Sequence, residues 1–387
     1  MQTVSYSQSN KPTVLLVTWY DNDNHGNRLQ HYAMQTILKS LGFKVDNLCC
    51  LHFRESSSGI MYDLKIARRR FFAYLGVKRY RKFFNEQNNF KIRFKRFEEF
   101  SEKYIDGKII VDFEEVLKSD KNQWNKYFKV IVGSDQVWNI QVIRKTKMLE
   151  YFYLSFVERE KRVNYGPSFG YNYILDEHFD IHKKGLLGFD RLSCREQSGC
   201  ELIKKITGLE SQLVLDPTLI LTIEQWRSIS RKPSYNIPEH YIMTYFLGFK
   251  TSDELKAISS INSDLEIIEI HDRGDKEHYL TDPQEFIWLI DHADFICTDS
   301  FHGTVFSIKF KKDFISFGKY KKGRLLNTFA RMDNILSICG LSDRVYYPEK
   351  DIREISKSSI DYSNVEERLK PIKDISIKYL CKCLDIE

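Results

Sequence analysis

Short apolar, β-branched runs alternate along this chain with polar turns and with stretches whose apolar residues recur at helical spacing. Thr13–Thr18 breaks into the polar turn Asp21–Gly26 and is followed by a helical pattern over Asn27–Leu41, which predicts strand, loop and helix. The alternation recurs at Lys129–Val132 before Gly133, and at Arg162–Tyr165 before a Gly/Pro/Ser turn. It continues at Arg191–Ser193 before the helix-like Glu196–Thr207, and at Leu213–Leu215 before Asp216-Pro217. Two prolines interrupt it at Lys232–Pro238. Strands are then predicted at Tyr241–Phe246, Glu266–Ile270, Phe295–Thr298 and Phe314–Phe317, with a last helix at about Val365–Cys383.

An order of this kind implies α/β architecture with mainly parallel sheet and helices on its faces. The expectation is two Rossmann-like domains facing across a cleft. Residues 1–235 form the first, with a basic helical insertion at about 60–105. Residues 236–345 form the second, and 346–387 are a helical segment packing back on the first.

The length of 387 residues suits two domains, and 42% apolar with 29% charged residues excludes disorder for most of the chain. No run approaches the roughly 18 apolar residues of a membrane-spanning helix, and Met1–Lys11 has no apolar core resembling a signal peptide, so a cytoplasmic location is expected. The eight cysteines include no C-x-x-C pair and no His at metal spacing, so no metal site is expected. Net charge is +6, yet Lys65–Arg96 carries twelve Lys/Arg against the single Glu86, which leaves the remainder net acidic. Aromatic residues interleave that basic stretch. This fits peripheral contact with anionic lipid at the inner face of the membrane better than nucleic acid, which is not expected as a partner.

Four segments carry the candidate chemistry: Asn24-His25-Gly26-Asn27-Arg28-Leu29-Gln30, Gly133-Ser134-Asp135-Gln136-Val137-Trp138-Asn139, Ser193-Cys194-Arg195-Glu196-Gln197-Ser198-Gly199, and Thr298-Asp299-Ser300-Phe301-His302-Gly303-Thr304. With Leu215-Asp216-Pro217-Thr218 and Gly340-Leu341-Ser342-Asp343-Arg344, the ordered set resembles the polysaccharide pyruvyl transferase family over roughly Lys11–Arg344. The resemblance implies a GT-B-like arrangement and transfer of the enolpyruvyl group of phosphoenolpyruvate onto a sugar of a capsular or other exopolysaccharide precursor, as a cyclic ketal, with release of phosphate. No cofactor is implied beyond phosphoenolpyruvate as donor substrate. The acceptor is a saccharide or lipid-linked oligosaccharide, and an oligomer is left open.

Such a donor needs cations, backbone N–H groups and an acid for its methylene carbon. Ser300, His302, Gly303 and Thr304 lie at a strand end on a predicted helix N-terminus, where anions bind in open α/β sheets. His302 is the candidate donor contact and general acid. Arg195, after its own strand, offers a bidentate fork; surface pairing with Glu196 or Glu201 is the plain alternative. In some members of the family an Arg stands where this chain has Ser300, and Arg324 is a candidate to replace it. On the acceptor side, Asn24, Gly26, Asn27 and Gln30 follow the first strand, with Asp135 a candidate base and Trp138 a candidate face for the sugar. Trp138 serves equally as core, Asp135 as a loop-fixing acceptor, and the first segment as an Asx-rich cap. A GT-B-like glycosyltransferase using a nucleotide sugar and a noncatalytic polysaccharide- or membrane-binding protein are the competing functions.

Overall fold

The computed structural model describes residues 11–20, 22–51, 74, 77–143, 145–248, 250–270, 276–318, 320–321, 324–325 and 330–386, without the side chains of 79–84, 320–321 and 324–325. Five strands, β1 (Thr13–Val17), β2 (Lys44–Cys50), β3 (Lys108–Val111), β4 (Val130–Val132) and β5 (Arg162–Asn164), form a parallel sheet in the order β3-β2-β1-β4-β5. The short β6 (Ser193–Cys194) and β7 (Gln212–Leu213) pair parallel with each other. The second large sheet contains β8 (Tyr241–Tyr245), β9 (Glu266–Ile270), β10 (Phe295–Thr298) and β11 (Asp313–Phe317). After the two-residue strands β12 (Tyr320–Lys321) and β13 (Arg324–Leu325), which pair antiparallel, β14 (Val345–Tyr346) completes that sheet as β14-β11-β10-β8-β9, again all parallel. Each large sheet therefore reverses its strand order once, beside β1 in the first and beside β8 in the second. A reversal opens a crevice at the carboxyl edge.

The strands sort their side chains by the two-residue period of a pleated sheet. Val14 and Leu16 face one core while Leu15 and Val17 face another. In the second half Tyr241, Met243 and Ile296 join the same core as Val14 and Leu16, whereas Ile242, Phe295 and Cys297 pack on the far face. One apolar core thus runs continuously between the two sheets and fixes them face to face. Ile352 and Ile355 lie in the far core of the second sheet, so the residues just after β14 pack with that sheet.

Helix α1 (His25–Ser40) follows β1 and is capped by Asn24, whose side chain accepts from the Asn27 N–H. Such a cap contributes about 1 kcal/mol. Helix α2 (Lys78–Tyr104) straddles the halves. Its fully buried Arg93 donates to Asp23 on one side and to the Tyr279 and Thr281 carbonyls on the other, and Arg96 reaches Leu280 O, Asp282 and Glu285. Part of the basic insertion therefore ties the halves together, while Lys65–Ala73 lies outside the described residues.

Helix α3 (Gln197–Thr207) follows β6, α4 (Pro283–His292) precedes β10, and α5 (Phe301–Lys309) follows it. Helix α6 (Ala330–Cys339) comes after Arg324 and Leu325, which pair back on β12. Helix α7 (Tyr362–Cys383) returns to the first half, where Ser376 Oγ accepts from Leu215 N and the Tyr379 hydroxyl donates to Asn164.

Candidate active site

The carboxyl ends of β1, β4, β8 and β10 surround a cleft of about 250 Å³ between the two sheets. Asn22, Asn24, Asn27, Asp135 and Gln136 line it from the first half; Asp299, Ser300, Phe301, His302 and Arg331 line it from the second. Two helix N-termini meet there, those of α1 and α5. Ser300 caps α5 by accepting from the Gly303 N–H at 3.4 Å. The positive ends of the peptide dipoles in that first turn favour a negative ligand.

His302 is held from both sides. A Cβ built on Gly26 would stand 2.0 Å from His302 Nδ1, so only glycine leaves the ring its place. On the other side His302 Nε2 lies 3.6 Å from Asp216 Oδ2, an electrostatic contact longer than a hydrogen bond, and Nε2 has no hydrogen-bond partner. Asp216 is fully buried at the start of a short helix, where it accepts from Thr218 N and Oγ1 and, at 2.5 Å, from Arg195. Burial works against its ionised form, but His302 and Arg195 outweigh it and hold the Asp216 carboxyl well below the usual range.

Arg195 lies under the cleft rather than on its wall, and its guanidinium is shared between Asp216 and Asp135, 2.6 Å away. Asp135 also accepts from the Asn27 side chain and has φ 69°, the left-handed region uncommon for a residue with a side chain. Burial pushes its carboxyl up and Arg195, followed by His302 and Arg331, pulls it lower, with a net depression. Arg195 is thus a buried counter-ion, bonded to Asp135 and Asp216 with the equally buried Glu196 carboxylate 3.9 Å from its Nε, and not a surface pair with Glu196 or Glu201.

Among the described residues, Arg331 is the cation of the wall, and sequence reasoning missed it. Its side chain is 11% exposed, its Nε has no hydrogen-bond partner, and its nearest carboxylate, Asp135, stands 4.0 Å away. Arg331 and Arg195 both rest on the Phe301 ring, with Cζ 5.6 and 4.4 Å from the centroid. Arg331 carries no local motif; it is the second residue of α6. The candidate chosen from the sequence, Arg324, lies in the β12–β13 hairpin, and its side chain falls outside the described part.

Of the other residues named from the sequence, Asn24, Asn27, Asp135, Ser300 and His302 come together on the cleft wall, with Gly26 directly behind His302. Four serve the scaffold instead. Gln30 is fully buried, donating to Thr18 Oγ1 and accepting from Ser134 N, so it laces the two loops at the first switch point. Trp138 is fully buried and stacks on Tyr153 at 5.3 Å, with no face for a sugar. Thr304 shares a buried hydrogen bond with Ser316, and a Cβ on Gly303 would meet Thr298 Oγ1 at 2.3 Å, so both serve the packing of α5 on its sheet. His25, inside the first motif, stacks on Phe286 of the second half with centroids 4.4 Å apart. Among the described residues no group of three His, Cys, Asp or Glu is placed to hold a metal, and no helix is long and apolar enough to cross a membrane.

Residues 24–318 match the model of the polysaccharide pyruvyl transferase family, which covers most of the chain and all four motifs. The chain belongs to that family. No curated protein matches the sequence. Among solved structures, the S. aureus MnaA–UDP complex is similar at a TM-score of 0.52 and 9% identity, over 97% of this chain and 98% of that one. A putative UDP-N-acetylglucosamine 2-epimerase from Listeria monocytogenes is similar at 0.51 and 8% identity, over 96% and 90%. At such identity the likeness is one of fold, and the fold is GT-B-like.

Proposed function

We propose that the cleft transfers the enolpyruvyl group of phosphoenolpyruvate to a sugar hydroxyl pair of a cell-surface or capsular polysaccharide precursor, as a cyclic ketal. The observation that carries this reading is the pairing of His302 with Arg331 at a helix N-terminus, opposite a wall of amide side chains. The anionic donor lies against Arg331 and the first turn of α5. A ring nitrogen of His302 gives its proton to the methylene carbon, and Asp216 stabilises the charged ring. The first sugar hydroxyl adds to the cationic C2. The bond from C2 to the phosphate oxygen then breaks with its electron pair going to phosphate, and the second hydroxyl closes the ketal. Of the two hydroxyl protons, one restores His302 and the other leaves on phosphate, so the reaction balances without a redox partner.

Both oxygens of Asp135 already accept, from Asn27 and Arg195, and its carboxyl is depressed. A base of that kind is weak. Asp135 therefore positions those two side chains, and His302, once deprotonated, receives the acceptor's proton.

Exposed Phe90 and Ile92 beside Lys91 and Lys95 on α2 support the further reading that a lipid-linked acceptor is met at an anionic membrane surface. Co-sedimentation with anionic but not zwitterionic liposomes, reduced in Phe90→Ser/Ile92→Ser, is the expected result. Equal pelleting of both proteins would remove that reading. For the reaction itself, the test is what leaves. Phosphate released from phosphoenolpyruvate only when an acceptor glycoside is present supports the transferase, and nucleotide released from a nucleotide sugar instead makes the protein a glycosyltransferase.

A further inference from the structure

Arg331 stands in the cleft only as far as α6 is docked there; Met332, Ile335, Leu336 and Cys339 seat that helix in the core, and one polar side chain carries it across to the first half. Asn334, one turn further along α6, reaches into the first half and grips the backbone on both sides of Glu196. Its Oδ1 accepts from the Gln197 N–H at 3.0 Å, and its Nδ2 donates to the Arg195 carbonyl at 3.3 Å. Gln197 is the first residue of α3, whose cap residue Glu196 makes no side-chain capping bond. A residue from the opposite half thus satisfies an N–H that the helix itself leaves open. Residues three apart on a helix share a face, so the grip on α3 and the presentation of Arg331 are one geometric act.

We infer that Asn334 is a positioning residue which clips the second half to the first and thereby sets Arg331 as the group that holds the donor's anion. This rests on the reading of the cleft as a phosphoenolpyruvate site. Arg195, spent on Asp135 and Asp216, has little left for a ligand, whereas Arg331 has a single carboxylate at the edge of contact. Burial, with Arg195 alongside, brings the Arg331 guanidinium down to about 10, as for a cation whose full counter-charge is not supplied by the protein. An anion entering the cleft supplies it.

The test compares the full-length protein with Asn334→Ala and Asn334→Asp, the latter keeping the acceptor toward Gln197 N. The first readout needs no substrate: the rate at which phenylglyoxal modifies Arg331, followed by peptide mass, with the exposed Arg227 as internal control. Asn334→Ala is expected to speed modification of Arg331 severalfold at unchanged Arg227 rate and unchanged melting temperature. The second readout is kinetic. KM for phosphoenolpyruvate rises about tenfold in Asn334→Ala with a smaller change in kcat, and Asn334→Asp recovers part of it. Equal Arg331 modification and equal KM in Asn334→Ala and the parent protein would overturn the clip. If the parent protein turns over no phosphoenolpyruvate at all, the proposed function falls, while the modification rates still decide whether Asn334 holds Arg331 in place.

Discussion

Gly26 and His302, each the second residue of a helix on opposite halves, are in direct contact, and a single Cβ on Gly26 would fall 2.0 Å from the imidazole. Gly26 has an ordinary helical backbone, so alanine is tolerated by α1 itself and the cost falls on the ring. Gly26→Ala is expected to lower turnover about 100-fold, the scale of a misplacement near 1 Å, with a melting temperature close to that of the parent. Turnover within twofold of the parent would mean that His302 is free to move or has no part in the reaction.

Arg195 answers differently. Its removal leaves Asp135 and Asp216 buried without their counter-ion, and breaking a buried pair in this way costs about 3–5 kcal/mol. Arg195→Met is expected to unfold at lower denaturant by that amount and to lose activity with it. A stable, inactive Arg195→Met would return the residue to direct donor binding.

Trp138→Ala is expected to cost about 3–5 kcal/mol as a core truncation while leaving the acceptor KM of the folded fraction unchanged. A raised acceptor KM with parental stability would restore the sugar-stacking role read from the sequence.

Acid should weaken the fold in two stages. Burial holds His31 and His182 down to about 4 from an ordinary 6.5, so each is neutral when folded. Their contribution is complete above pH 6.5 and is lost as pH falls from there toward 4, at most about 3 kcal/mol each. Asp135 and Asp216, depressed when folded, contribute above the ordinary carboxylate range and lose that contribution only below it. Urea midpoints should therefore fall between pH 7.5 and 4.5 in the parent and less steeply in His31→Gln. Parallel slopes in the two proteins would mean that His31 already charges in the folded state.

Much of this is legible in the chain because strand and helix N-terminus are local signals. Phe295–Thr298 followed by Ser300 announces a strand, a cap and a helix, and the structure has all three. Lys44–Cys50 does not read as a strand because Asp46 and Asn47 break its apolar run; Asn47 is buried there by bonding His31 and Gln35, a compensation invisible to periodicity. Asp216 stands out as part of a motif but not as the partner of His302, since the two are joined only through the meeting of the halves. Arg331 and Asn334 escape for the same reason: a helix in the chain does not tell which distant helix it will cap.

The most direct measurement is the mass of a β-galactoside acceptor after incubation with phosphoenolpyruvate in D₂O, with the parent protein and with His302→Ala. The account predicts an acceptor heavier by pyruvate less water and carrying one deuterium in the new methyl group, formed by the parent and lost in His302→Ala. An unchanged acceptor mass in samples where a nucleotide sugar is consumed, or a deuterated ketal formed equally well by His302→Ala, would contradict it.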